Sequence, residues 1–127
     1  MKSKKLLLVD DDAFLRDMYA IKFGESNFDV QVAETGHKAL SLIEQAPDFD
    51  VILLDMVMPG MTGIELISEI KESFPKMKAK CIVLSNQGQE SDVAQAETVG
   101  ADGYIIKAEA IPSDVVKQVV KIIDSKK

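Results

Sequence analysis

Short apolar runs alternate along the chain with longer stretches whose apolar positions recur every three or four residues. The runs Lys5–Val9, Val30–Ala33, Val51–Leu54, Lys80–Leu84 and Gly103–Ile106 are too short for helices and rich in Val, Leu and Ile, so they read as strands. Between them, Phe14, Leu15, Met18 and Ile21 mark a first helix that ends near Gly24. Ala39, Leu40 and Ile43 mark a second, opened by Thr35 as N-cap and closed before Pro47. Leu66, Ile67, Ile70 and Phe74 mark a third, stopped by Pro75, and an alanine-rich fourth runs from about Ser91 to Val99. Val116, Val119, Val120 and Ile123 mark the last, with Pro112 at its start. Strand–helix alternation of this kind predicts an α/β fold, a doubly wound five-stranded parallel sheet with five helices on its two faces. No linker, repeat or low-complexity tract interrupts it, and four residues after Ile123 leave no room for more, so residues 1–127 are expected to form one domain.

Composition narrows the function classes. At 127 residues, with 46% apolar and 28% charged residues, the chain has the make-up of an ordinary soluble globule with a proper core. A net charge of −6 with scattered basic residues argues against a nucleic-acid partner. No apolar stretch approaches the ~20 residues of a membrane span, and Leu6–Val9 is too short for the apolar part of a signal peptide. Cys81 is the only cysteine, which excludes an internal disulfide and fits a reducing cytoplasm; within a strand it is expected to be a buried, inert thiol. His37 is also alone and cannot build a zinc site.

The chemistry sits where the apolar runs stop. Asp10, Asp11 and Asp12 follow directly on Leu6–Val9, at the strand edge where open α/β sheets bind ligands. Like charges so close repel, and a hard divalent cation such as Mg²⁺ would gather them. The plainer reading is a solvated loop that caps the next helix, since charge runs are usually solvated faces. Val51–Leu54 ends in Asp55 and leads into a Met-rich turn, Met56 to Gly63, bent by Pro59, Gly60 and Gly63. Loop packing explains those methionines better than metal binding. The fourth strand ends in Ser85 and the fifth in Lys107. All these ends converge on one rim of a doubly wound sheet, so carboxylates, a hydroxyl and an ammonium meet there. Such a set can hold Mg²⁺ and a phosphoryl group together, leaving one carboxylate as nucleophile. Taken singly, Tyr104 could be a half-buried strand aromatic, Ser85 a strand-end hydroxyl and Lys107 a surface charge.

In these segments the whole chain resembles a receiver domain of the two-component response regulators, flavodoxin-like in fold, in stand-alone, chemotaxis-type form. The resemblance rests on Leu7–Asp11, the loop Leu54–Gly63, Ser85 and the run Gly100–Lys107, in order and at successive strand ends. It implies that Asp55 is the phospho-acceptor, charged by a sensor histidine kinase, a phosphotransfer protein or a small phosphodonor. It implies Mg²⁺, or alternatively Mn²⁺, held by Asp11 directly, Asp10 more through water, Asp55, and the backbone carbonyl of Val57. Lys107 would pair with the phosphoryl oxygens and, in the free form, with Asp55. Ser85 and Tyr104 take the places of the switch hydroxyl and switch aromatic. Asp12 falls outside the metal pair and is expected to cap the first helix. The resemblance further implies a cytoplasmic signalling switch rather than an enzyme, a monomer or weak dimer that would take part in its own phosphorylation and dephosphorylation. Its output would leave through the fourth helix, fifth strand and fifth helix to a protein target.

Two departures stand out. The family's proline after the lysine, joined by a cis bond, is Ala108 here, where a cis bond would cost about 2.5–4 kcal/mol. A trans bond there would loosen how phosphorylation is read by the last strand and helix. The positions that influence hydrolysis in the family are Val57 and Gln87, and valine cannot hydrogen-bond an attacking water, which predicts slow loss of the phosphoryl group. Rival classes fit less well. The haloacid-dehalogenase phosphatase motif breaks at Phe14, and a flavodoxin-type carrier needs a hydroxyl- and glycine-rich phosphate loop where the three aspartates stand. A receiver-like module that works without phosphorylation is the stronger rival.

Overall fold

Five strands and five helices alternate through the computed structural model, which describes residues 3–86, 90–107 and 111–124. The strands are β1 (Lys4–Val9), β2 (Phe28–Ala33), β3 (Val51–Asp55), β4 (Lys80–Ser85) and β5 (Gly103–Ile106). The helices are α1 (Ala13–Glu25), α2 (Gly36–Gln45), α3 (Gly63–Ser73), α4 (Glu90–Thr98) and α5 (Pro112–Asp124). All neighbouring strands pair in parallel, in the order β2-β1-β3-β4-β5. The expected doubly wound sandwich is therefore the observed one.

Strand geometry explains the continuous apolar runs. Successive side chains point to opposite faces of a strand, so a strand covered on both sides needs apolar residues at every position. Leu7, Val9, Ile52, Leu54, Cys81 and Val83 face the layer of α2, α3 and α4, where they meet Ala39, Ile43, Leu66, Ile67 and Ile70. Leu6, Leu8, Val51, Leu53, Ile82 and Leu84 face the other layer, where Tyr19 and Phe23 of α1 and Val115 and Val119 of α5 close the core. The edge strand β2 is buried only at its two ends and partly or fully exposed between them, which is why its start is poorly marked in the sequence. It begins at Phe28, two residues before the predicted Val30, and Phe28 packs edge-on to Phe23 with ring centroids 5.2 Å apart.

β3 and β4 each run one residue further than predicted, into Asp55 and Ser85. Both residues still pair with a neighbour, Asp55 with Leu84 and Ser85 with Ile106. The polar ends of these strands are thus held by the sheet ladder and not left to loops. The helix stops match the sequence closely: Thr35 caps α2 by accepting from the Lys38 N–H, and α3 ends before Pro75. Cys81 is fully buried, and burial pushes its thiol up to about 11. His37 lies exposed on α2.

Candidate functional site

The register of the sheet brings the acids together. Val9 pairs with Leu54, so Asp10 and Asp55 emerge side by side from adjacent central strands. The chain order reverses between β1 and β3, since β1 has β2 on one side and β3 on the other, and such a switch point opens a crevice beyond the strand ends. A cleft of about 540 Å³ lies there, bounded among others by Asp11, Asp12, Asp55, Ser85, Asp92 and Lys107.

Asp10 is the pinned member of the set, 1% exposed and engaged at each polar atom. Its N–H donates to the Ala33 carbonyl at 3.1 Å, and its own carbonyl accepts from the Arg16 guanidinium at 2.9 Å. Its Oδ1 accepts from the Asp12 N–H at 3.0 Å and its Oδ2 from Lys107 Nζ at 3.4 Å. Asp11 is exposed, and Asp12 caps α1 by accepting from the Leu15 N–H at 3.1 Å. Asp12 thus caps the helix as expected while also bordering the cleft, and Asp10 and Asp11 are the members of the triplet whose carboxylates approach Asp55.

Lys107 Nζ lies 3.4 Å from Asp10 and 3.7 Å from Asp55, and its side chain is 7% exposed. The expected Lys107–Asp55 pair is present, and Asp10 shares the ammonium at shorter range. One ammonium between two carboxylates leaves the cluster short of positive charge. The carboxyl of Asp55, whose side chain is 14% exposed, rises from an ordinary 3.8 to about 6. Burial is the main cause, reinforced by Asp10 and Asp11 and opposed by Lys107 and a hydrogen bond with the Met56 backbone. Carboxylate oxygens of Asp10, Asp11 and Asp55 lie within 4.8 Å of one another, so a single cation could touch all three. Every donor in the set is a hard oxygen, which suits Mg²⁺ or Mn²⁺.

The loop behind Asp55 is set by α3. Gly60 turns at a φ of +82°, and Gly63 donates its N–H to the Met56 carbonyl at 2.8 Å. A Cβ on Gly63 would collide with the Asp55 carbonyl and lie 3.0 Å from Met56 Cα, so only glycine lets the helix start this close to the acid. Thr62 and Glu65 form a reciprocal capping box, each side chain bonding the other's backbone N–H at 3.1 and 2.9 Å. Val57 sits on this loop at the cleft, 74% exposed. Ser85 is buried at the cleft wall, and Tyr104, paired with Val83, is half-buried against the α4-side core. Ala108 and Gln87 lie outside the described residues; among those described, no peptide bond is cis.

Three contributors escaped the reading of the chain. The capping box was legible as Thr62-Gly63-Ile64-Glu65, the spacing such boxes use. Asp92 of α4 and Arg16 of α1 carried no such signal, because only the folded arrangement brings their helices to the cleft and the acid loop.

The sequence profile of the response regulator receiver domain matches residues 6–120. Among curated proteins, the transcriptional regulatory protein ResD of Bacillus subtilis is 34% identical over 119 residues, covering 94% of this chain and 48% of that protein. The chemotaxis protein CheY of Halobacterium salinarum is 38% identical over 112 residues, covering 87% of this chain and 90% of that protein. This chain thus spans about half the length of the transcriptional regulator and nearly all of the chemotaxis protein. Among solved structures, chemotaxis protein CheY4 of Vibrio cholerae superposes with a TM-score of 0.87 at 27% identity, covering 94% of this chain and 98% of that one.

Proposed function

The chain belongs to the family of response regulator receiver domains, and from that premise we propose that it is a stand-alone switch in which Asp55 takes up a phosphoryl group. The observation that carries this reading is the carboxylate triad within 4.8 Å, in which buried Asp10 and half-buried Asp55 share Lys107. In the proposed reaction an Asp55 carboxylate oxygen attacks the phosphorus of a phosphohistidine. The new O–P bond forms as the P–N bond breaks, and the electron pair stays on the imidazole nitrogen, which takes a proton from water. Asp10, Asp11, Asp55 and the Val57 carbonyl would hold Mg²⁺ or Mn²⁺. When bound, such an ion supplies positive charge against the phosphoryl oxygens.

The residues of the chain do the remainder. Lys107 already faces the acceptor at 3.7 Å and would exchange the carboxylate for the phosphoryl oxygens. Ser85, at the end of β4 between the strand ends that carry Asp55 and Lys107, lines the same cleft and is the candidate hydroxyl to follow the phosphoryl group. Tyr104 lies on β5 beside the α4 layer and would carry the change to the α4–β5–α5 face. Receiver domains are signalling switches, so the output is a protein contact; a sensor histidine kinase or phosphotransfer protein is the proposed donor and a downstream protein the proposed target. Among the described residues no helix is long and apolar enough to cross a membrane. A cytoplasmic site of action, one domain over 1–127, and a monomeric or weakly dimeric state complete the proposal.

The test is mass spectrometry after incubation with Mg²⁺ and a small phosphodonor such as phosphoramidate. One added phosphoryl group that is absent in Asp55→Asn supports the switch. No added mass, with Mg²⁺ binding intact, would favour a module that signals without phosphorylation.

A further inference from the structure

Asp11, the exposed carboxylate of the acid loop, lies between Asp10 and Asp12, and the backbone of Asp10 is tied to α1. The Arg16 guanidinium reaches back across the loop and donates to the Asp10 carbonyl at 2.9 Å. Arg16 follows the cap residue Asp12 by four positions, and its N–H donates to the Asp12 carbonyl at 2.8 Å. Side chains on a helix lean toward its N-terminus, so a long residue in the first turn is the one that can return to the preceding strand end. Its planar fork of donors suits a fixed carbonyl better than a mobile ammonium would. The other three anchors of Asp10 come from β2, from the loop itself and from Lys107. Arg16 is the tie between the acid loop and α1 that acts through Asp10, as Asp12 is the tie through the cap.

We infer that Arg16 is a positioning residue for the cation site, holding the Asp10–Asp12 loop so that Asp10 and Asp11 present their carboxylates together with Asp55. The inference rests on the proposed reading of those three acids as metal ligands. Two effects of Arg16 on a bound cation have opposite signs. Its positive charge repels the ion, so removing the charge alone would tighten binding. Its hydrogen bond orders the ligands, so removing the bond would weaken binding, and outer partners of metal ligands typically govern affinity by 10–100-fold.

The sign of the change therefore decides. Mg²⁺ affinity of the full chain is measured by calorimetric titration, with thermal unfolding followed in parallel, for the wild type, Arg16→Met, Arg16→Lys and Ile43→Val. Arg16→Met is expected to raise the Kd about tenfold, the lower end of the range for such partners. Arg16→Lys, which keeps a donor and the charge, is expected to recover part of that loss. Ile43→Val thins the α2-side core and is expected to lower Tm while leaving the Kd unchanged. If Arg16→Met does not fold, Arg16→Gln takes its place with the same criterion. Equal or tighter binding in Arg16→Met overturns the inference, as does a Kd that merely follows Tm across all variants, Ile43→Val included. A wild type that shows no Mg²⁺ heat abolished by Asp11→Asn overturns the ligand reading itself, and this inference with it.

Discussion

Replacing Asp55 with asparagine should stabilise the metal-free protein, and by an amount that depends on pH. The Asp55 carboxyl stands at about 6 in the fold against 3.8 in an unconstrained chain. The native state therefore binds its proton more tightly than the unfolded state does. Stability from this group is fully present below about pH 3.8 and is lost as pH rises through about 6. At 1.36 kcal/mol per pH unit, the full loss is about 3 kcal/mol at pH 8, and linkage gives about 1 kcal/mol at pH 4.5. Asparagine carries no such charge, so Asp55→Asn is expected to gain about 2 kcal/mol over the wild type between those two pH values. The assay is urea unfolding followed by far-UV circular dichroism in EDTA, at pH 4.5 and pH 8. Saturating Mg²⁺ should narrow the gap at pH 8, because an ion that binds only the native acid cluster adds to wild-type stability. A gap that stays constant with pH, or an asparagine variant less stable at pH 8, would refute the claim that Asp55 is ionised at a cost.

Other expectations follow from the same geometry. Asp12→Ala removes the α1 cap and should cost about 1 kcal/mol in urea unfolding while leaving phosphorylation of Asp55 possible; loss of phosphorylation in a folded variant would return Asp12 to the metal site. Gly63→Ala forces a Cβ against the Asp55 carbonyl and should cost about 1–3 kcal/mol with a weakened Mg²⁺ titration. Unchanged Mg²⁺ affinity there would mean that the loop yields without moving Asp55. Cys81, buried and with its thiol raised to about 11, should resist iodoacetamide at pH 8 until urea is added, as read by mass. Val57→Asn should speed loss of the phosphoryl group measured by phosphate release, since it puts a hydrogen-bonding side chain at the cleft beside the acyl phosphate; an unchanged rate would remove Val57 from the account of its lifetime.

Much of this protein is local in origin. The unbroken apolar character of Leu6–Val9 and Val51–Leu54 could only belong to strands covered on both faces, and helix-spaced apolar residues between them supply the cover. Once that alternation is granted, the strand-end residues Asp10, Asp11, Asp55, Ser85 and Lys107 must gather on one rim, because parallel strands all end on the same side. Capping chemistry was equally local, at Asp12 and Thr35.

Tertiary structure decided what depends on distance and burial. That one ammonium is shared, with Asp10 nearer than Asp55, follows from where Lys107 leaves β5 relative to two strands inserted between β5 and β1. The rise of the Asp55 carboxyl comes from desolvation, which no single residue encodes. The tie from Arg16 to the Asp10 carbonyl depends on the angle at which α1 leaves the acid loop, which the folded packing sets. Sequence alone determined which strand-end groups reach the rim, since that needs only strand periodicity and direction, whereas Asp92 of α4 arrives there through the fold. The balance of charge among them belongs to the fold, since it is set by a few ångströms and by how deeply Asp10, Asp55 and Lys107 are buried.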